Sequence, residues 1–226
     1  MEANLKRWND QHQLLRRLLS KDKDYQKALP IFLDHHAAVH TAKLQAGAHW
    51  SWHDEVLSGL TPEQMRYTPR SSPHSVAWRI WHIARIEDAT MNILLADATQ
   101  VFESGKWLAK LEIDFVSVGN EMSNADIAQL SETINLKALA AYRLAVGKRT
   151  RAVVKRLNLD ELSQRPAPDR LQRLVAERAV QEPALWLLDY WGGHPAANLL
   201  LMPASRHSFV HLNEISRMKS NLRKIK

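Results

Sequence analysis

The sequence predicts an all-α protein, and three observations carry that prediction. Glycine is scarce: 7 residues in 226, about 3% where the average is about 7%, too few for a fold built on tight turns. Apolar residues recur at three- and four-residue spacing along most of the chain, which is the period of an amphipathic helix. No alternating run longer than about four residues reads as a strand.

The elements follow in order. Leu5, Trp8, Leu15 and Leu18/Leu19 mark a first amphipathic helix, read as an N-terminal extension over residues 1–24 ahead of a helical bundle over 25–226. Leu29, Leu33, His36, His40 and Leu44 share one face, so a second helix is expected from about Tyr25 to Gly47. Ser72, Pro73 and Ser75 supply cap and first-turn signals for a third, running to about Asp97. Leu136, Leu139, Tyr142, Val146, Val153 and Leu157 mark a fourth from about Asn135, and a last one is expected from Pro203 to about Leu222. Thr61–Gln64 is a capping box opening one helical turn, and Ser123 opens a short helix through Leu130. The predicted architecture is a four-helix bundle with an extra N-terminal helix and long extended crossovers over 98–134 and 158–203.

Composition narrows the chemistry. The apolar share, 45%, and the charged share, 24%, are those of a globular domain. With no cysteine, disulfides, thiolate metal sites and a cysteine nucleophile are all excluded. The net charge of +7 invites a nucleic-acid reading, but the excess lies in Lys148–Arg156 and Arg217–Lys226. The first run interleaves with Leu144, Val146, Val153 and Leu157 as the solvated face of a helix does, and neither run carries interleaved aromatics. No nucleic-acid partner is expected. The most apolar stretch, Ala184–Met202, is broken by Asp189, Gly192, Gly193, His194 and Pro195, so no membrane span is expected either. No apolar leader follows Met1, and a cytoplasmic protein is the expectation.

Histidine is the unusual residue, with 11 copies. Chance placement would give about 0.5 His-x-x-x-His pairs. The chain has three: His36/His40, His49/His53 and His207/His211. Residues four apart on a helix stack one turn above another, so two imidazoles so placed can converge on one metal ion, and a third from another helix completes a three-histidine site. His207/His211 is the strongest pair, because its face continues through Glu214, a candidate orienting carboxylate, general base or fourth ligand. His82 is the best third ligand, since Trp78, Ile86, Ala89 and Ile93 turn its face toward the core. His36/His40 is the rival pair, able to supply ligands or line a pocket, and His49/His53 reads as packing or capping. Glu87 and Asp88 fall on other faces of the His82 helix and read as structural. His12, His35, His74 and His194 belong to no constellation.

Three segments then resemble a known family. Trp52–Thr61, Ser75–Asp88 and Leu201–Glu214 are similar to the DinB/YfiT-like metalloenzymes, over about residues 30–220, with looser matching in 103–134 and 158–195. The motifs are one histidine in the second core helix and His-x-x-x-His in the last. The resemblance implies a four-helix bundle binding a divalent ion, zinc or nickel, through His82, His207 and His211, the trio that spacing alone selects. It implies activities ranging from thiol-dependent S-transfer or isomerisation with bacterial low-molecular-weight thiols to iron ligation in sulfoxide synthases, and it implies homodimers. Where family members place Gly-Gln or Gly-Glu after the last histidine and a spacer, this chain has Asn213 and Glu214, so substrate contacts do not carry over.

The expected function is therefore a metal-dependent transferase or hydrolase acting on a small-molecule substrate, with a low-molecular-weight thiol or a water on a three-histidine divalent metal (zinc, nickel or iron) and with Glu214 or His40 as proton acceptor. Any thiol must come from outside the chain. The alternative is a non-catalytic, metal-stabilised bundle that binds a partner or dimerises, for which Trp50, Trp52, Trp78 and Trp81 offer apolar area.

Overall fold

Helix α1 (Glu2–Leu18) carries Glu2 in its first turn and Arg16 and Arg17 in its last, charges that complement the helix dipole. Its Trp8 and Leu15, two turns apart, are buried against helix α2 (Tyr25–Ala37). These come from a computed structural model that describes residues 1–20, 24–47, 49–69 and 72–222, all of it helix, turn or irregular chain with no strand among the described residues.

Helix α2 ends ten residues before the expected Gly47. The reason is competition for its last backbone groups. Trp52 N–H donates to the Ala38 carbonyl at 2.7 Å, the Ser51 hydroxyl donates to the His40 carbonyl at 2.6 Å, and the Asp54 carboxylate accepts from Ala42 N–H at 2.8 Å. The chain therefore leaves the helix as a short turn and re-enters helix at α3 (Trp52–Leu57), capped by Ser51, and then α4 (Pro62–Arg66), opened by the expected Thr61/Gln64 capping box. His49 precedes α3, so it and His53 do not share a helix face.

Helix α5 (Val76–Ala89) is the axis of the molecule. Ser75 caps it, accepting from Trp78 N–H at 3.0 Å, and every one of its 14 residues is buried. It continues through one π-helical turn over Thr90–Leu95, close to the expected end. Buried on every side, the helix must find partners inside the protein for the ionisable residues it carries.

The crossovers hold more helix than the single short segment expected after Ser123. The first folds into α6 (Val101–Ser104), α7 (Trp107–Leu111) and α8 (Asn124–Thr133), the last with a Ser123/Asp126 capping box. After α9 (Leu136–Val154), capped by Asn135, the second holds α10 (Pro168–Ala176), α11 (Trp186–Gly192) and α12 (Ala196–Leu201). Apart from α8, which Ser123 announces, these helices are too short to show a sustained period in sequence, and they bury apolar side chains such as Phe102, Leu111, Leu174 and Trp191. A π-helical turn over Met202–Arg206 leads into α13 (His207–Leu222).

Helix α5 packs against α9 on one side and α13 on another, while α2 lies against α9 and α13 touches α3. One apolar cluster gathers Leu15, Phe32, Leu94, Trp191 and Leu200, and a second gathers Trp8, Trp52, Trp81, Tyr142, Phe209 and Leu212. Helix α5 feeds both. At about 1.5–3 kcal/mol for each large side chain fully buried, these clusters supply the driving force that holds α5 dry. No helix among the described residues is long and apolar enough to cross a membrane.

Candidate metal centre

The packing of α5 against the start of α13 brings His82, His207 and His211 together. One ligand nitrogen from each lies within 4.8 Å of the others. The rings meet edge to face, with centroids 5.0 Å apart for His82 and His207, 5.2 Å for His82 and His211, and 4.7 Å for His207 and His211.

The outer nitrogens set the tautomers of two of the rings. His82 Nδ1 lies 2.5 Å from the Val118 carbonyl. A carbonyl only accepts, so Nδ1 carries the proton and the Nε2 lone pair is left for a ligand. His211 Nδ1 in the same way donates to Glu214 Oε2 at 2.9 Å, leaving its Nε2 free. Glu214 is held in turn by Arg79 Nε–H at 3.0 Å. Carbonyl and carboxylate partners of this kind orient metal-ligating imidazoles. Trp78 stacks on His82 with ring centroids 4.6 Å apart, fixing its plane. His207 has a buried Nδ1 with no hydrogen-bond partner.

Burial keeps two of these rings in the ligating form. Burial, then the neighbouring His211, pushes His82 down to about 3, and burial with His82 and His211 nearby pushes His207 well below the usual histidine range. Neutral imidazole is the form that binds metal. The hydrogen bond from His211, and Arg79 behind it, hold Glu214 down to about 2 although burial opposes this. An all-imidazole set with protonated outer nitrogens and a buried orphan atom fits a divalent ion.

The rival pair forms a separate cluster. His36 Nε2 and His40 Nε2 both meet the Glu87 carboxylate, at 2.8 Å to Oε1 and 3.0 Å to Oε2. Thr150 Oγ1–H donates to Oε1 at 2.7 Å, and Arg143 Nη1 stands 3.8 Å from Oε2. His36, His40, Glu87 and Thr150 are each 0% exposed. Burial alone would raise Glu87, but the two imidazoles hold it well below the usual carboxylate range, while burial depresses His40 and brings Arg143 down to about 10. Glu87 is thus an anion countered by Arg143 and capped by two imidazole N–H donors. These residues also lie close enough together to hold a metal ion. Here, however, every inward-facing nitrogen is already bonded to the carboxylate, and a guanidinium sits alongside.

Of the expected site residues, the structure groups His82, His207 and His211, sets Glu214 behind His211, and moves His40 out to the Glu87 cluster, where nothing connects it to solvent. Three features escaped the reading of the sequence. The Val118 carbonyl comes from a part of the crossover for which no element was expected. The Asn213 carbonyl oxygen accepts from Trp52 Nε1–H at 3.0 Å, tying α13 to α3. Glu87 proves to be the hub of the His36/His40 pair. The signal for Glu87 was present in α5: between Val76 and Ala89 the apolar residues leave no solvated face, so its carboxylate had to seek buried donors.

Fold and site together define an all-helical protein with a three-imidazole candidate metal centre between its central helix and its last. The family model of the DinB superfamily matches residues 45–202, more than half of the chain, and the chain belongs to that superfamily. The match ends before His207 and His211. No curated protein matches the chain.

Proposed function

We propose that this protein is a divalent-metal-dependent enzyme of small molecules, with His82, His207 and His211 as the ligands in a four-helix core built from α2, α5, α9 and α13. The observation that carries the reading is the tautomer pair: His82 and His211 give their Nδ1 protons to fixed oxygen acceptors, so both Nε2 lone pairs are free for an ion. Three imidazoles suit zinc or nickel, with iron as a further choice.

A bound ion would supply Lewis acidity and stabilise a small thiolate or hydroxide as nucleophile in a transferase or hydrolase reaction. The chain's own groups do the rest. Val118 and Glu214 orient two ligands, Trp78 blocks one face of His82, and Arg79 keeps Glu214 ionised. Glu214, held down to about 2 between His211 and Arg79, serves better as an orienting anion than as a proton acceptor at neutral pH. His40 is sealed away and plays no part in proton transfer.

The test is metal content of untagged protein, wild type beside His211→Ala. Wild type is expected to hold about one ion per chain and the variant to lose it. Equal content in the two overturns the site.

A further inference from the structure

A cavity of about 320 Å³ opens beside the candidate metal centre. Its floor is made from the site's own framework: His207 itself, Ile86 one turn beyond His82, and Asn120, two residues past the Val118 that holds His82. Its walls are apolar, with Leu187 and Trp191 from α11 and Met202 from the π-helical turn before His207. At its rim stand Trp186, 55% exposed, and Tyr190, 40% exposed. Large aromatic side chains left in water four residues apart call for an explanation, and these two edge a hollow instead of lying scattered.

We propose that this cavity is the substrate subsite of the metal centre, and that it takes the apolar, preferably aromatic, portion of a small molecule whose polar head binds the ion. The proposal rests on the reading of His82, His207 and His211 as metal ligands. Three features choose the occupant. The volume lies at the small end of the ~300–1,000 Å³ typical of ligand sites, enough for a ring and too little for a peptide segment. The lining offers little besides apolar and aromatic surface, so a charged tail would lose its hydration without replacement. His207, a member of the candidate metal centre, lines the cavity, which favours entry of an amphipathic molecule with its polar head toward that residue. Trp186 and Tyr190 would then stack on a ring at the mouth.

Metal-binding heads of equal chemistry and different tails test this. Acetohydroxamate and benzohydroxamate are titrated into the cobalt(II)-loaded protein, with binding read from the cobalt absorption bands. The expectation is that benzohydroxamate binds at least about tenfold more tightly. The ratio is expected to fall to about threefold or less in Leu187→Asn, and to fall measurably in Trp186→Ala, whose exposed position preserves folding. Metal and acetohydroxamate bound, with no preference for the benzo compound, overturns the subsite and leaves the metal centre standing. Cobalt not retained overturns the metal reading, and the subsite with it. A Trp186→Ala variant that changes oligomeric state while keeping the full preference makes the rim a protein interface and overturns the assignment of Trp186 and Tyr190 to the substrate.

Discussion

Replacing Glu87 by Gln removes one charge from the most enclosed polar cluster of the protein and leaves its shape almost unchanged. In the native cluster Oε1 accepts from His36 Nε2 and Thr150 Oγ1, and Oε2 accepts from His40 Nε2 beside Arg143. A glutamine keeps one acceptor oxygen and turns the other into a donor that faces donors. The imidazole left without an acceptor cannot escape by switching tautomer. His40 Nδ1 already lacks a partner and faces Gly147, where an added Cβ would come within 2.7 Å of it, and His36 Nδ1 lacks one too. A switch only moves the orphan from one nitrogen to the other. Each orphaned buried donor costs about 1–3 kcal/mol, and a buried guanidinium stripped of its anion about 3–5 kcal/mol. The two overlap because they share Glu87, so Glu87→Gln is expected to lose about 3–5 kcal/mol out of a typical total of about 5–15. Urea unfolding of the metal-free protein, with an unchanged m value, measures it. A loss below about 1 kcal/mol would refute the account of Glu87 as a buried anion holding three donors. So would a wild-type protein that binds two ions and a Glu87→Gln protein that binds one, because the cluster would then be a metal site and not a brace.

Three further outcomes are expected. Glu214→Ala leaves His211 Nδ1 without its acceptor and should weaken metal binding about 10–100-fold, read by competition with a chelator; unchanged affinity removes Glu214 from the site. Gly147→Ala should destabilise by about 1–3 kcal/mol, although alanine is the better helix former by about 1 kcal/mol, because the new Cβ meets His40 Nδ1 at 2.7 Å; a stabilised protein in thermal unfolding would show that His40 yields freely. The metal-free protein should lose stability in acid. Burial, with Arg206 and Arg16 nearby, pushes His12 down to about 4, and burial also lowers His35, His40 and His53. Folded-state values below the unfolded 6.5 mean that the unfolded chain binds the extra protons, so stability is complete above about 6.5 and falls as the pH drops from there toward about 4. A urea midpoint that holds or rises from about pH 7 to 5 contradicts those shifts.

The legible part of the fold was the part with a sustained period. Helices α1, α5, α9 and α13 run long enough for their apolar stripes to declare themselves, and Thr61, Ser75, Ser123 and Asn135 cap where their side chains suggest. What stayed hidden was decided by tertiary competition. Nothing local in Val39–Leu44 forbids helix; the carbonyls of Ala38 and His40 are taken by Trp52 and Ser51, and Asp54 holds the amide of Ala42. Most short helices of the crossovers have too few turns to show a stripe, and α8 was legible from its Ser123 cap. At the site, the three imidazoles could be chosen from spacing because side chains declare themselves by type. The Val118 carbonyl could not, because every residue has one.

The two histidine clusters differ in what their imidazoles face. Both draw on α5, and both have imidazoles four residues apart. They differ in where the acceptors stand. Val118 and Glu214 approach His82 and His211 from outside, at Nδ1, and so aim the basic nitrogens at a common point. Glu87 instead stands between His36 and His40 and takes both inward N–H groups, so the same two rings close on an anion. The difference is set by α5 itself. His82 and Glu87, five residues apart, point to different neighbours, one to α13 and the crossover, the other to α2 and α9. Arg143 lies close to both, donating to Ser208 Oγ beside His207 at 3.1 Å while countering Glu87 at 3.8 Å. With its positive charge on the closed side, it favours the anion there. On the other side the cavity reaches His207.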